Sequence, residues 1–396
     1  MQPVLEPVLI VGMCRTPFGQ FQGALSGFSA SQLASEAIKG LLKTSTLSPD
    51  DVSEVILGQV LSAHSGQAPA RQAVTAAGLP VHVPAMTLNK VCGSSMKALM
   101  LAAQAVRLGD SQLVLAGGME SMSQVPYYLP SQARSGTRMG HQTLLDGMIY
   151  DGLWDLGEDC HMGQCAEALA KRDAFGRDAQ DAYAAESFQR AQAAWAEGLW
   201  TDSVTPVVAK AGKTTTSVSQ DEGPSKFNAE RMSTLRPVFD TTGTITAANA
   251  SSISDGACVL ALCTEDRAKG LPVKPLAKIV AYAQYAHEPL WFTTAPVGAI
   301  QSVLSKAGWR VDEVDLFEIN EAFAVVPMAA MKALGIAHSQ VNVLGGAIAY
   351  GHPLGASGAR IVMSLITALK ARQLKRGVAA ICIGGGEATA IAIECL

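Results

Sequence analysis

Apolar runs closed by glycine set the rhythm of the chain. Val8-Leu-Ile-Val-Gly12 is such a run and predicts a buried strand. The spacing over Ser31 to Leu42 predicts a helix, and Val55-Ile-Leu-Gly58 a second strand. Ser95 to Leu108, rich in Ala, Leu and Met, predicts a helix stopped at Gly109-Asp110. Leu113-Val-Leu-Ala116 then predicts a strand broken by Gly117-Gly118.

The C-terminal part repeats this plan. Asp315 to Ile319 predicts a strand and Ala324 to Leu334 a helix. A glycine-rich loop from Gly345 to Gly358 leads into a helix reaching Lys375. Ala379 to Ile383 predicts a strand broken by Gly384-Gly-Gly386. Leu115-Ala-Gly-Gly-Met-Glu120 matches Cys382-Ile-Gly-Gly-Gly-Glu387, which predicts an internal duplication. Strands alternating with helices imply α/β layers around mainly parallel sheets. Residues 121–252 break the pattern, with Pro, Arg, Gly and polar clusters, one clear helix from Asp178 to Gly198, and a Thr- and Ser-rich stretch from Lys210 to Ser219. They read as an inserted subdomain whose long loops bind ligands.

The bulk numbers narrow the class. A chain of 396 residues holds two or three domains at ~100–200 residues each. Hydrophobic residues at 48% and charged residues at 16% predict a large core and exclude disorder. No apolar run approaches the ~18–20 residues of a membrane span, so no membrane partner is expected. Met1 to Cys14 lacks the basic-then-apolar pattern of a leader, so a cytoplasmic location is expected. A net charge of −4 without a basic run argues against nucleic acid. The eight cysteines are Cys14, Cys92, Cys160, Cys165, Cys258, Cys263, Cys382 and Cys395; without a leader, a disulfide framework is not expected. Cys160-His161 with Cys165 fits no common zinc spacing, so no metal is expected.

Four motifs carry candidate chemistry. In Asn89-Lys-Val-Cys92-Gly-Ser-Ser, the cysteine lies where an extended segment turns into a helix. The positive helix terminus favours thiolate, and its N–H groups suit an oxyanion. His352 sits in a glycine- and alanine-rich loop that can present imidazole to a thiol. Cys382 precedes three glycines at a strand end, where it can act as acid or base. Asn320, in Glu318-Ile-Asn-Glu-Ala-Phe323, can orient water or a carbonyl. Taken singly, each also fits a plainer role: a buried cysteine at a helix start, a capping histidine, a core strand cysteine, an asparagine N-cap with Glu321 serving the helix dipole.

Together the strings Asn320-Glu-Ala-Phe, Gly351-His-Pro-Leu-Gly-Ala-Ser-Gly and Cys382-Ile-Gly-Gly-Gly, in this order and spacing, resemble the thiolase family from Arg15-Thr-Pro-Phe-Gly19 to the C-terminus. The resemblance implies a five-layered αβαβα fold of two duplicated halves. Residues 1–121 with 254–274 would form the N-terminal half, residues 122–253 an inserted loop domain that binds coenzyme A, and residues 275–396 the C-terminal half. It implies that Cys92 is acylated, that His352 activates it, and that Cys382 moves a proton at C2 of the second substrate. Asn320 would hold a water that forms one oxyanion hole with His352, and the N–H groups of Cys92 and Gly384 would form the other.

The implied reaction condenses two acetyl-CoA to acetoacetyl-CoA and CoA, reversibly. The alternative is thiolysis of longer 3-ketoacyl-CoA in fatty-acid breakdown. Leu153, His161 and Met162 would line the pantetheine and acyl region, Phe239, Ala247 and Ser251 would contact CoA, and Ala322 and Phe323 would close the acyl pocket. No cofactor is implied beyond the CoA thioesters that are substrates. A homotetramer is implied, with Val125-Pro-Tyr-Tyr-Leu-Pro130 in the inserted segment. The sequence departs from the family after Asp221-Glu222, where Lys226 stands in for an arginine, and at Trp291-Phe-Thr-Thr-Ala-Pro296 in place of a Met- and Gly-rich stretch.

Overall fold

The computed structural model describes residues 6–136, 139–211 and 214–396. The first run of elements is β1 (Val8–Arg15), α1 (Ala30–Ser45), β2 (Glu54–Gly58), α2 (Pro69–Ala77), β3 (Ala85–Leu88), α3 (Ser94–Leu108) and β4 (Leu113–Ser121). The insertion then holds α4 (Met162–Asp173) and α5 (Arg177–Ala196), before β5 (Ser254–Thr264) returns to the sheet. The second run is β6 (Ala277–Ala286), α6 (Ala295–Ala307), β7 (Leu316–Ile319), α7 (Val325–Leu334), α8 (Leu354–Ala371), β8 (Arg376–Ile383) and β9 (Glu387–Cys395).

Alternate residues of the strands face two different cores, which is why the strands read as continuous apolar runs. In β5, Cys258, Leu260 and Leu262 pack on one side, and Ala257, Val259, Ala261 and Cys263 on the other. In β8, Ala379 and Ile381 face the first of these cores, and Val378, Ala380 and Cys382 face a third. The shared middle core contains α3 and α8. Helices α1 and α2 cover the outer face of the first half, and α6 and α7 that of the second. The result is the expected αβαβα stack.

The strands hydrogen-bond in the order β7-β8-β9-β6-β1-β5-β4-β2-β3, with Gly19–Gln20 added on β5. The duplication is visible in the pairing. The series β2-β4-β5-β1 in the first half matches β7-β8-β9-β6 in the second, with the same parallel and antiparallel senses. Even the parallel partner β3 has its counterpart in a bridge from Val341 to Phe317. The halves meet where β1 pairs β6, with Val8 opposite Ile279.

The sheet corrects the expectation of mainly parallel pairing. Only β2–β3, β2–β4 and β7–β8 are parallel; the remaining pairs of this sheet are antiparallel. The tight turn at Gly384–Gly386 makes β8 and β9 a hairpin, which forces antiparallel pairing. Nor do Gly117-Gly118 break a strand: β4 runs through them to Ser121. They stand there for space, since a Cβ on Gly118 would meet the Gly355 carbonyl oxygen at 1.9 Å. The predicted loop from Gly345 to Gly358 contains a short helix, Ala347–Tyr350, and the first turn of α8, which ends at Ala371 rather than Lys375. Helix α8 has the length and apolarity of a membrane span, 18 residues at mean hydropathy 1.2, contrary to expectation; 89% of it is buried between the two sheet faces.

The insertion has two substantial helices where one was expected. Helix α4 escapes sequence reading because its N-cap is His161, outside the usual Ser, Thr, Asp and Asn. Two buried carboxylates fasten the insertion to the core. Asp221 takes both guanidinium nitrogens of Arg15, at 2.6 and 2.8 Å, and the Phe18 N–H at 2.7 Å. Glu321 accepts from Tyr183 Oη, Ser187 Oγ, Asn342 Nδ2 and the Ile348 N–H, between 2.8 and 3.1 Å. It therefore ties α5 to the second half rather than serving a helix dipole.

Candidate active site

Cys92 and His352 occupy matching places in the two halves. Each lies two residues before the first residue of a central helix, α3 or α8. At Cys92 the chain turns sharply: Val91 has φ 45°, a left-handed value that costs a β-branched residue about 1–3 kcal/mol. Local hydrogen bonds hold the turn. Asn89 Oδ1 accepts from the Val91 N–H at 2.8 Å, and Ser94 Oγ accepts from the Lys90 N–H at 2.8 Å while donating to the Val91 carbonyl at 2.6 Å.

At Cys92 burial opposes the helix terminus, which favours thiolate. Burial pushes its thiol up to about 12, the N–H of Gly384 acts in the opposite sense, and the Glu120 carboxylate adds to the rise. The side chain is partly buried and opens onto a cavity. A thiol held in this way would need a base before it could attack a carbonyl.

His352 has the form of that base. Its Nδ1 lies 2.6 Å from Ser357 Oγ, and Ser357 Oγ donates to the Pro353 carbonyl at 2.9 Å. A hydroxyl has one proton, so Ser357 accepts from Nδ1–H, and the Nε2 lone pair is left bare. Nε2 is buried and has no hydrogen-bond partner among the described residues. Burial, and then the charge of Arg360, lower the imidazole to about 3, so it is neutral at neutral pH. Pro353, not His352, occupies the cap position of α8, which removes the capping role.

Asn320 is held by a buried chain of charges. Glu318 Oε1 is 3.0 Å from Arg360 Nη1, and Arg360 Nη2 donates to Asn320 Oδ1 at 3.1 Å. Arginine only donates, so this contact fixes which end of the amide is oxygen. Asn320 Nδ2 is buried without a partner among the described residues, a donor left free. The residue is not a cap, because α7 begins at Val325. Cys382 is wholly buried near the end of β8; burial first, and then the nearby Cys92, raise its thiol well above the ordinary value. After it, Gly385 and Gly386 take φ of 87° and 85°, which glycine permits and which return the chain into β9.

A cavity of about 490 Å³ opens beside Cys92 and His352. Cys92 and His352 line it together with all eight residues expected to touch substrate: Leu153, His161, Met162, Phe239, Ala247, Ser251, Ala322 and Phe323. Asn320, Cys382 and Gly384 are not in its wall; the first two are fully buried, and Gly384 is placed with its N–H toward the Cys92 sulfur. His161 Nδ1 accepts from the Gly163 N–H at 3.0 Å, its ring stacks on Phe239 at 4.7 Å, and burial lowers its pKa. The neutral ring thus carries its proton on Nε2. Two larger hollows, of about 650 and 780 Å³, contain none of the chemical groups.

Sequence reasoning did not assign Phe292, Ile253 and Leu354 to this wall. Phe292 had left a signal, since it falls in the stretch where the sequence departs from its family. Lys226 donates to Gln20 Oε1 at 2.6 Å, and Gln20 lines the cavity. Among the described residues no group of three or more His, Cys, Asp and Glu is arranged to hold a metal ion.

A neutral thiol, a bare imidazole nitrogen and free N–H donors beside an apolar cavity form the apparatus of acyl transfer through a cysteine. Family models agree: the thiolase N-terminal domain matches residues 8–266, and the thiolase C-terminal domain residues 273–395. The chain belongs to the thiolase family and is by that membership an acyltransferase. It is 51% identical to acetyl-CoA acetyltransferase 2 of Arabidopsis thaliana over 98% of this chain and 97% of that one. Among solved structures, the Bacillus anthracis acetyl-CoA acetyltransferase superposes with a TM-score of 0.96 at 38% identity, covering 99% of each chain. Human mitochondrial 3-ketoacyl-CoA thiolase superposes with a TM-score of 0.95 at 37% identity, over 99% of this chain and 100% of that one.

Proposed function

We propose that this protein condenses two molecules of acetyl-CoA to acetoacetyl-CoA and CoA, and runs the reverse thiolysis, through an acetyl thioester on Cys92. The observation that carries this reading is the pairing of Cys92 with a neutral His352, whose bare Nε2 has no protein partner, on one small apolar cavity. His352 takes the Cys92 proton as the sulfur attacks the thioester carbonyl. It returns that proton to the departing CoA sulfur, and the acetyl group stays on Cys92.

The second half-reaction uses Cys382. As a thiolate it removes a proton from C2 of the second acetyl-CoA; the resulting enolate attacks the acetyl carbon, the bond from that carbon to Cys92 Sγ breaks, and the departing Cys92 thiolate takes the proton from Cys382, which restores both groups. In cleavage Cys382 acts as the thiol that burial favours and gives the proton back. Negative charge develops on a thioester oxygen in each half-reaction. The free Asn320 Nδ2, through a water shared with His352, serves one oxygen; the Cys92 and Gly384 N–H groups serve the other. Leu153, His161, Met162, Phe239, Ala247 and Ser251 accommodate the CoA arm, and Ala322 and Phe323, with Phe292, close the acyl end. Residues 122–253 are in this reading the CoA-binding loop domain, set between halves at 1–121 with 254–274 and 275–396.

We also infer a homotetramer in the cytoplasm. Exposed apolar side chains of the insertion, Tyr127 at 64%, Leu129 at 57%, Leu144 at 60% and Leu156 at 67%, favour association. Eight free thiols suit a reducing compartment.

The test is mass spectrometry of the chain mixed with acetyl-CoA, joined to cleavage rates for acetoacetyl-CoA and a long-chain 3-ketoacyl-CoA. An acetyl adduct on Cys92 with faster cleavage of the short substrate is expected. Faster turnover of the long substrate would transfer the chain to fatty-acid breakdown, and no adduct would remove the covalent route.

A further inference from the structure

The acyl-transfer chemistry leaves one pair of thiols unused. Cys160 Sγ and Cys165 Sγ lie 3.5 Å apart, in van der Waals contact, with Cys160 partly exposed and Cys165 buried. Each is set by its own element. Cys160 belongs to a two-residue strand in which it pairs with Asp155 and His161 pairs with Trp154. Cys165 stands in the first turn of α4. Between them run His161 and Met162, both in the wall of the cavity: the first stacked on Phe239, the second with its sulfur beside Gly384.

We propose that Cys160 and Cys165 form a modification site, a dithiol that a peroxide converts reversibly to a disulfide, and that the bridge locks the His161–Met162 wall of the acyl cavity. A bond of about 2.05 Å requires the sulfurs to close by roughly 1.5 Å. The elements already point them at each other, so little chain entropy is lost on closure. The wall residues between them become part of a short covalent ring. The partly exposed Cys160 meets the oxidant first. Its thiolate attacks hydrogen peroxide, breaking the O–O bond, to give a sulfenic acid and hydroxide. The Cys165 sulfur then displaces hydroxide from that sulfenic sulfur; the thiol proton and the hydroxide leave as water, and the S–S bond forms. The two sulfurs give up two electrons, and the peroxide is reduced to water. Burial, the neighbouring Cys160 thiol, and the acidic Asp155 and Glu158 push Cys165 up to about 12, so it is not the sulfur that initiates; contact with Cys160 is what lets it close the bridge.

The experiment uses the full chain and a Cys92→Ser chain, in which the catalytic thiol cannot be the oxidised group. Each is treated with hydrogen peroxide, digested without reductant and analysed by mass spectrometry. Acetyl-CoA affinity of the Cys92→Ser chain is measured before and after. Expected are a Cys160–Cys165 bridge, two hydrogens lighter and opened by dithiothreitol, and a shift in acetyl-CoA affinity that follows the bridge. Cys165→Ser and the milder Cys160→Ser, each placed in the Cys92→Ser chain, should abolish both. Recovery of both residues as alkylatable thiols after peroxide would overturn the site, and a bridge that leaves affinity unchanged would overturn the locked wall. The bridge is read without substrate, so a failure of the acetyl-CoA reading is distinguishable from a failure of the dithiol.

Discussion

Ser357 Oγ accepts from His352 Nδ1 at 2.6 Å and spends its own proton on the Pro353 carbonyl at 2.9 Å. One hydroxyl thereby decides which imidazole nitrogen keeps its lone pair free. Removing it in Ser357→Ala lets the ring rotate and exchange tautomers. The expected result is a loss of about tenfold or more in kcat, up to the ~10²–10⁴ that a positioned base supplies, with KM little changed. Ser357→Thr, which keeps the hydroxyl, should recover most of it. Steady-state kinetics of the two variants check this.

The Glu318–Arg360–Asn320 chain makes a two-part prediction. Arg360→Met leaves Glu318 buried without its partner, which costs about 3–5 kcal/mol. Removing both charges in Glu318→Leu with Arg360→Met should restore most of the stability. Activity should not return with it, because nothing then fixes the Asn320 amide. Chemical denaturation and kcat, measured on the same samples, separate the two roles.

Phe292 is 3% exposed and lines the cavity beside Ala322 and Phe323. Phe292→Ala should enlarge the acyl end. The ratio of kcat/KM for a six-carbon 3-ketoacyl-CoA over acetoacetyl-CoA should rise by about 10–200-fold, the worth of a methylene-sized misfit. The variant should also lose about 3–5 kcal/mol of stability. An unchanged ratio would take Phe292 out of the acyl wall.

Cys382→Ser tests the division of labour between the two thiols. Acetylation of Cys92 by acetyl-CoA should continue near its normal rate, while condensation falls by about 10²–10⁴. Rapid-quench mass spectrometry follows the first and acetoacetyl-CoA absorbance the second. Equal loss of both would show that Cys382 serves acylation as well.

His352 also predicts a response to acid. Its folded pKa, about 3, lies below the ordinary 6.5. Between these values the unfolded chain holds the extra proton and the native state does not. The contribution is therefore complete above 6.5 and is lost as pH falls toward 3, at about 1.4 kcal/mol per pH unit. A His352→Gln chain should lack this component, so its denaturation midpoint should fall less on acidification than that of the unaltered chain.

Much of this was legible in the residues before the fold. The four chemical positions sit at glycine-rich turns or strand ends, and such places announce themselves in a sequence. The cavity-lining side chains came from family likeness alone; nothing in the spacing of Leu153, Phe239 and Ala322 says that they share a wall. The upward push on the Cys92 thiol was not legible, because burial is a property of the assembled core, whereas local sequence reveals only the helix terminus. Sheet sense was misread for a related reason: alternating strands and helices suggest crossovers, whereas the Gly384–Gly386 turn makes a hairpin. Helix α4 was missed because a histidine imidazole caps it.

The matching places of Cys92 and His352, each two residues ahead of a central helix, have a consequence for how such a catalyst arises. In the proposed reaction neither half contains both the attacking atom and the group that unmasks it. An ancestor one half as long, paired with itself across the β1–β6 seam, would have set two like helix starts face to face. In a single chain each copy can change alone, so that in the proposed reaction one serves as the nucleophile and the other as its proton acceptor. Structural symmetry in this way leaves room for chemical asymmetry. Either half made by itself should be inert, and activity should appear only when the two are brought together again.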